Sequence, residues 1–384
     1  MKLTRLMLVV LGLCVSAQIA LADWTPAKRL SWTPSYSWGQ TIAVDPSGNL
    51  HVLWYDYWDP TNTEIFYTRS TDGGTTWTKG QRFTWTSGGS FHPAMAVDIS
   101  GHLHVVWEDS PGMRDIYYRK STDAGVTWTP SRRITWNYDV STYPDIAVDS
   151  SGHLHVVWYD TTPGNPEIYY KKSTDGGATW TANRRLTWTS AYSRYPAIAV
   201  ASSGHLHLVW EDQSSGHSDM YYKKSTDGGT TWTASRRITW TSSDYMEPAI
   251  TVDSSNNPHV VWNADSTGNE EIYYKKSTDG GAAWTAGKRL SLNSGESHFP
   301  TVAAGLAGDL HVVWYDNTPG NEEIFYKKSA TGGAAWAASQ RITWTSGNSN
   351  SPAIAVDSAG NPHVVWDDFV ATDNCEIFYK KFIK

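Results

Sequence analysis

Carboxylates recur along this chain in a pattern regular enough to suggest one chemistry repeated many times. Asp56, Asp109, Asp160, Asp212, Asp316 and Asp368 each stand two residues after a Trp; Ala264 breaks the series, with Asp265 next to it. Glu64, Asp115, Glu167, Asp219, Glu271, Glu323 and Glu376 follow shortly after. Such acids, gathered on one face, could bind Ca²⁺ or accept hydrogen bonds from sugar hydroxyls. Because every copy of the pattern carries them, bonding to loop amides and Tyr hydroxyls within each copy is the simpler account. His51, His104, His155, His207, His259, His311 and His363 repeat in the same way. Imidazoles suggest metal, but this spacing places each in a separate unit, so they read as hydrogen-bonded structural residues. No metal site and no cofactor is expected, with Ca²⁺ as the alternative.

A second set of residues is irregular. The segments linking the units carry Tyr36 and Trp38, Phe91 and His92, Tyr138 and Tyr143, Tyr192, Arg194 and Tyr195, Tyr245 and Glu247, and His298 and Phe299. Divergence confined to one place in a uniform repeat marks either relaxed constraint or tuning to a ligand. Aromatic rings beside acids suit sugars, which present apolar C–H faces and polar rims. The candidate ligand set is therefore Trp38, Phe91, His92, Tyr143, Arg194, Tyr195, Tyr245 and Phe299, with Asp160, Asp212 and Asp316 as acceptors. Basic pairs such as Lys171-Lys172, Arg132-Arg133 and Arg236-Arg237 could form a polyanion-binding rim. Charged strands that block edge-to-edge aggregation are the plainer reading.

The positioning elements follow from the repeat. Ser-Thr-Asp-Gly-Gly-x-x-Trp stands at Ser70–Trp77, Ser121–Trp128 (Ala124 for the first Gly), Ser173–Trp180, Ser225–Trp232 and Ser277–Trp284, with an eroded copy at Ser329–Trp336. The spacings between its Trp positions are 51, 52, 52, 52 and 52 residues, a period that means a propeller, solenoid or array. Within one copy, Ile146–Asp149, Leu154–Trp158, Glu167–Lys172 and Arg184–Trp188 read as four strands grading from apolar to polar. Gly152 and the Asp-Gly-Gly element supply the turns. That is a propeller blade read from axis to rim.

Seven second strands end at Trp54, Trp107, Trp158, Trp210, Trp262, Trp314 and Trp366, and the chain stops after a seventh third strand, Glu376 to Lys381. The missing outer strand lies at the other end, where Trp24–Trp32 matches Trp232–Trp240. The expected fold is an all-β, seven-bladed propeller in one domain over 23–384. Its blades run near 41–85, 93–136, 144–188, 196–240, 248–292, 300–344 and 352–381 plus 24–32. Closure by the N-terminal strand removes exposed sheet ends.

Residues 1–22 read as a signal peptide: Lys2 and Arg5 precede the apolar run Leu6 to Val15, and Ala20-Leu21-Ala22 is a small-x-small cleavage site. The run is too short for a membrane span, and Leu13 is too bulky before Cys14 for a lipobox. Cleavage between Ala22 and Asp23 leaves 384 − 22 = 362 residues and moves the formal charge from −7 to −9. That acidity argues against nucleic acid or an anionic membrane as partner. The expected location is outside the cell or in the periplasm. Cys375 is then the single thiol, so packing of the 22 Trp and 21 Tyr must stabilise the fold.

The Ser-x-Asp-x-Gly-x-x-Trp motif resembles the Asp box of the sialidase (BNR-repeat) superfamily, over the whole chain after residue 22. The resemblance implies that the motif joins third and fourth strands on the face away from the active site, so Asp72, Asp123, Asp175, Asp227 and Asp279 read as structural. Sialidases resemble six-bladed rings; seven blades is a departure. Sialidase chemistry, by the same resemblance, uses three Arg around the substrate carboxylate, a Tyr nucleophile with a Glu partner and an Asp acid/base. Here only Ser193-Arg194-Tyr195-Pro196 approaches the family's first Arg motif, and Arg114 is one other Arg on that face. Arg29, Arg82, Arg133, Arg185, Arg237, Arg289 and Arg341 head the outer strands and are expected at the rim near the Asp boxes. If the chain were a sialidase, Arg194 and Asp212 would be its catalytic candidates. The reading that follows is an exported, non-catalytic binding protein with glycans or cell-surface proteins as partners. An exo-sialidase-like hydrolase and a protein-interaction scaffold are the alternatives.

Overall fold

The computed structural model describes residues 23–33, 35–59, 62–136, 139–241, 246–265, 268–371 and 374–383. Residues 1–22, read above as a signal peptide, lie outside them, as do Tyr138 and Tyr245. The described elements are all strands, in seven antiparallel sheets. No described helix is long and apolar enough to cross a membrane. The third blade is typical: Ser141–Val148, Leu154–Asp160, Glu167–Ser173 and Arg184–Arg185, in that order from inside to outside. Inner strands of neighbouring blades touch around the axis, including the seventh against the first.

Closure is as the sequence requires. Asp23–Trp24 pairs with the end of Asn374–Ile383, and Lys28–Arg29 pairs with its middle, opposite Phe378 and Tyr379. The apolar core lies between blades rather than within them. Val106, Ile116, Tyr118 and Ile134 of one blade pack on Ile146, Leu154, Val156 and Trp158 of the next, and Leu30, Val365, Ile377 and Tyr379 pack on Ile42, Leu50, Val52 and Trp54. The near-continuous apolar second strands are thus buried on both faces, each large side chain contributing about 2–3 kcal/mol.

The Asp box turns out to be an inter-blade joint. Ser173 Oγ donates to Asp175 Oδ1 at 2.8 Å and accepts from Gly177 N at 2.8 Å, while Asp175 accepts from Thr179 N and its hydroxyl. These bonds, not burial, hold Asp72, Asp123, Asp175 and Asp227 down at about 2. The box Trp then meets edge-on a Tyr of the preceding blade: Trp77 on Tyr379, Trp128 on Tyr67, Trp180 on Tyr118, Trp232 on Tyr170, Trp284 on Tyr222 and Trp336 on Tyr274, with ring centroids 4.9–5.3 Å apart. The seventh joint has no box, and Trp24 takes that place, 5.0 Å from Tyr326.

The same Tyr hydroxyls hold the repeated histidines. His155 Nδ1 lies 2.8 Å from Tyr170 Oη and Nε2 lies 3.4 Å from Asp149 Oδ2. The donor order that satisfies all three is Tyr O–H to Nδ1 and Nε2–H to the carboxylate. Burial pushes His104, His155 and His363 down to about 4, so these rings are neutral. Ala201 stands where five other blades have an Asp (the sixth has Gly305 and partners His311 with Asp309 instead), and burial takes His207 lower still, to about 3.

One expectation is corrected. The repeated Arg do not sit by the Asp boxes. Each reaches the carboxylate that opens the third strand, at the opposite end of the blade: Arg185 to Glu167 at 2.8 Å, Arg237 to Asp219, Arg341 to Glu323, and likewise Arg29 to Glu376 and Arg82 to Glu64. The long side chain spans the distance, and the buried acid needs a charge partner. The basic third-strand residues tie blades together: Lys171 and Lys275 donate to the Ile134 and Ile238 carbonyls of the preceding blade.

Candidate functional site: the channel mouth

At the end of the ring away from the Asp boxes, the inner strands begin three residues earlier than their apolar pattern suggests, across a bulge. In the third blade the register shifts between Thr142 and Asp145, and equivalent shifts occur in the first, second, fourth, sixth and seventh. The displaced residue precedes Pro in all of these but the first blade, where it is Gly39 before Gln40. It takes the left-handed conformation: φ is +47° at His92, +51° at Tyr143, +49° at Tyr195, +51° at Phe299 and +48° at Ser351. Gly39 does so freely at +60°. For the others this costs about 1–2 kcal/mol each. Bulges re-aim side chains beside functional sites, and these line a single cavity of about 560 Å³ at the axis, together with Trp38, Tyr55 and Glu247. That size is within the range of ligand pockets.

The rings support one another. His92 stacks on Tyr143 at 3.9 Å, Tyr143 meets Tyr195 edge-on at 4.8 Å, and Phe299 stacks on Tyr315 at 5.6 Å. Behind them stands a layer not singled out from the sequence: Tyr55, Glu108, Tyr159, Glu211, Asn263, Tyr315 and Asp367, one residue after each strand Trp. Glu108 is buried, 3.1 Å from His92 Nδ1 and 3.3 Å from Arg114 Nη1, and accepts from Tyr143 N at 3.3 Å and from the Thr142 hydroxyl. Asp367 accepts from Gln40 Nε2 at 3.3 Å and lies 3.6 Å from Cys375 Sγ; burial pushes its carboxyl up to about 6. Burial also raises Glu211, which accepts from Ser218 Oγ at 2.8 Å. Burial is the chief cause raising Tyr55, Tyr143, Tyr159 and Tyr315, so their phenols are protonated at neutral pH.

Of the residues nominated from sequence, Trp38, His92, Tyr143, Tyr195 and Phe299 come together at the mouth. Phe91 sits one residue outward, under Arg114 at 5.3 Å, and Arg194 lies over Tyr192 at 4.1 Å, its backbone paired with Glu211. Asp160, Asp212 and Asp316 are fully buried and accept from Ser141, Ser193 and Ser297 at 2.7–2.9 Å. Trp158 and Trp210 also donate to the first two. They brace the blades behind the site. Strand side chains alternate faces, so a shift of one residue separates the bracing acids from the layer that backs the cavity.

A propeller of this construction belongs to a known class. A family profile described as "BNR repeat-containing family member" matches residues 91–290, more than half of the chain, and the protein is a member of that family. Among named proteins it is similar to the xyloglucanase Xgh74A of Acetivibrio thermocellus, 28% identical over 308 residues, which cover 68% of this chain and 35% of that one. It is also similar to a sialidase of Bacteroides fragilis, 25% identical over 292 residues, covering 62% of this chain and 51% of the relative. The chain thus spans between a third and a half of these relatives. Among solved structures, a PL25 ulvan lyase bound to a GlcA–Rha3S unit superposes with a TM-score of 0.65 at 11% identity, over 91% of this chain and 94% of the other; that likeness concerns the fold.

Proposed function

We propose that the protein is an exported, non-catalytic binding protein that holds a glycan over the channel mouth. The observation that carries this is the set of aromatic side chains held at positive φ around one cavity, strain that packing alone would not call for. Stacked rings present faces for sugar C–H groups, while Gln40, Glu247 and the neutral Tyr hydroxyls supply polar contacts. The relatives named for xyloglucan and sialic acid support a carbohydrate ligand, and residues 1–22 support export. Against sialidase chemistry, no Arg is among the described residues that line the cavity, and a sialic carboxylate calls for bidentate Arg. A glycan-array screen of the purified protein, run beside a fluorogenic sialoside assay, tests the reading. Binding without turnover is expected. Sialoside turnover that vanishes with Arg194→Ala, or with Asp212→Ala in protein that still melts with the parent, would establish the sialidase alternative, and silence across the array would favour the protein-scaffold reading.

One observation favours a second reading. Asp367 and Glu211 are carboxyls with raised proton affinity near the mouth, a property that glycoside hydrolysis exploits. Release of reducing ends from xyloglucan, lost on Asp367→Asn, would promote it.

A further inference from the structure

The fifth blade departs from the others at one buried pair. Trp107, Trp158, Trp210 and Trp366 donate their indole N–H to Asp109, Asp160, Asp212 and Asp368 at 3.0–3.2 Å. Trp54 and Trp314 keep an Asp at the same offset, Asp56 and Asp316, although their indole N–H groups, like that of Trp262, have no hydrogen-bond partner; what sets the fifth blade apart is that the carboxylate itself is missing. Trp262 has Ala264 there, and its N–H has no hydrogen-bond partner although the residue is only 3% exposed. An orphaned buried donor costs about 1–3 kcal/mol. Beside Ala264 there is a cavity of about 350 Å³, lined by Trp262, Ala264, Asp265, Tyr273, Lys275 and Gly287 of the fifth blade and by Thr239–Thr241 of the fourth. Gly287 leaves room at the ring edge; a Cβ there would still be 3.7 Å from the Trp262 ring.

The outer wall of this cavity is Trp240, which is 70% exposed. Trp32, Trp85, Trp136, Trp188 and Trp344 are exposed at the matching positions of other blades, each beside an Arg or Lys. At Trp240 those cations already have partners: Arg237 pairs with Asp219 at 2.5 Å, and Lys275 donates to the Ile238 carbonyl. The site therefore offers a flat apolar face, one buried donor, the Tyr273 phenol, the Asp265 carboxylate and the Thr241 hydroxyl oxygen, whose proton already goes to the Ser218 carbonyl. Thr239 is buried and bonded to Asp219 and Met220 N, and the cations beside Trp240 are paired, so an acidic group finds no partner there.

We infer that this inter-blade cavity is a second ligand site, for a neutral pyranose residue whose C–H face stacks on Trp240 and whose hydroxyl accepts from Trp262 Nε1. It lies on the flank of the ring, apart from the channel mouth, so the two sites stand or fall separately. The test is isothermal titration with cellotetraose and with a xyloglucan heptasaccharide, in a Tyr143→Ala/Tyr195→Ala background that strips rings from the mouth. One-to-one binding of at least one of the two is expected. Adding Ala264→Asp restores the carboxylate and should weaken binding about tenfold or more. Adding Trp240→Ala, at an exposed position that leaves the melting temperature in place, should do the same, as loss of a stacking face and a hydrogen bond implies. Absence of binding by either oligosaccharide, or binding that both added substitutions leave unchanged, would overturn the assignment.

Discussion

The two ends of the ring obey different rules. At the Asp-box end all seven joints are alike, with a Trp against the Tyr of the neighbouring blade and that Tyr bonded to a buried His. At the channel mouth, the residue before the first-strand Pro is His, Tyr, Tyr, Glu, Phe or Ser, and all but Glu247 take a positive φ. Uniformity belongs where parts must interlock, and variety where they meet something else. The left-handed positions make the contrast concrete: at the Asp-box turns they are filled by Gly, with Ala124 the exception, whereas at the mouth four of them carry His92, Tyr143, Tyr195 and Phe299 beside Gly39 and Ser351.

The largest effect should come from removing a joint altogether. Deleting Asp23 to Trp32 strips Trp24 and Leu30 from the core and leaves Glu376 buried without Arg29. Loss of more than about 5 kcal/mol is expected, seen as aggregation or a much lower melting temperature. A truncated protein that melts with the parent would show that the ring does not depend on its last joint.

Acid should attack the joint end next. His104, His155 and His363 have folded values depressed to about 4. Their contribution is therefore present above the ordinary value near 6.5 and lost as pH falls through 4, up to about 3 kcal/mol each. Urea midpoints should drop steeply between pH 6 and 4, and less steeply in His155→Gln. Asp367, behind the mouth, has the opposite sign. Its value is raised to about 6, so its contribution is present below about 3.8 and lost as pH rises through 6. Asp367→Asn should stabilise by up to about 3 kcal/mol at pH 7.5 and by nothing at pH 3.5.

Paired substitutions sharpen the contrast. At Gly177 φ is +92° and an added Cβ would lie 2.3 Å from Tyr118 Oη, so Gly177→Ala should cost about 2–4 kcal/mol in chemical unfolding and leave ligand affinity per folded molecule intact. Tyr195→Asn puts a residue tolerant of positive φ at the mouth. Stability should change by less than about 1 kcal/mol, because relief of strain offsets the lost edge-on contact with Tyr143. Glycan binding should weaken about tenfold. The reverse pattern would move the binding face to the Asp-box end.

How far the sequence discloses these two regions follows from the same contrast. Identical spacing made the blades, their number and the closing strand readable, because inter-blade packing demands the same residue at the same offset. The mouth was readable where the signal was aromatic, as at Tyr143, Tyr195 and Phe299. The layer behind it was missed because acids drew the eye to Asp160 and Asp212, whereas the residue just before each faces the other way. The telling signal was variation: Tyr, Glu, Tyr, Glu, Asn, Tyr and Asp follow the strand Trp, and then an Asp that changes only at Ala264. The bulge could not be foreseen, since left-handed aromatic residues before Pro run against local preference and are imposed by the ring.

The joint made by Trp24 also sets a problem of addresses. Every third strand offers much the same docking edge, so during folding the N-terminal segment meets seven near-copies of its destination. Six are filled by an outer strand a dozen residues downstream, whose short loop closes at little entropic cost. The seventh stays open until a segment separated from it by 347 residues arrives. In dilute solution the chain's own segment fills it. In concentrated solution the segment of another copy can, and such an exchange closes as a reciprocal dimer or, where it is not reciprocated, runs on into linked chains. Protein concentration during refolding therefore sorts the product between single rings and linked rings.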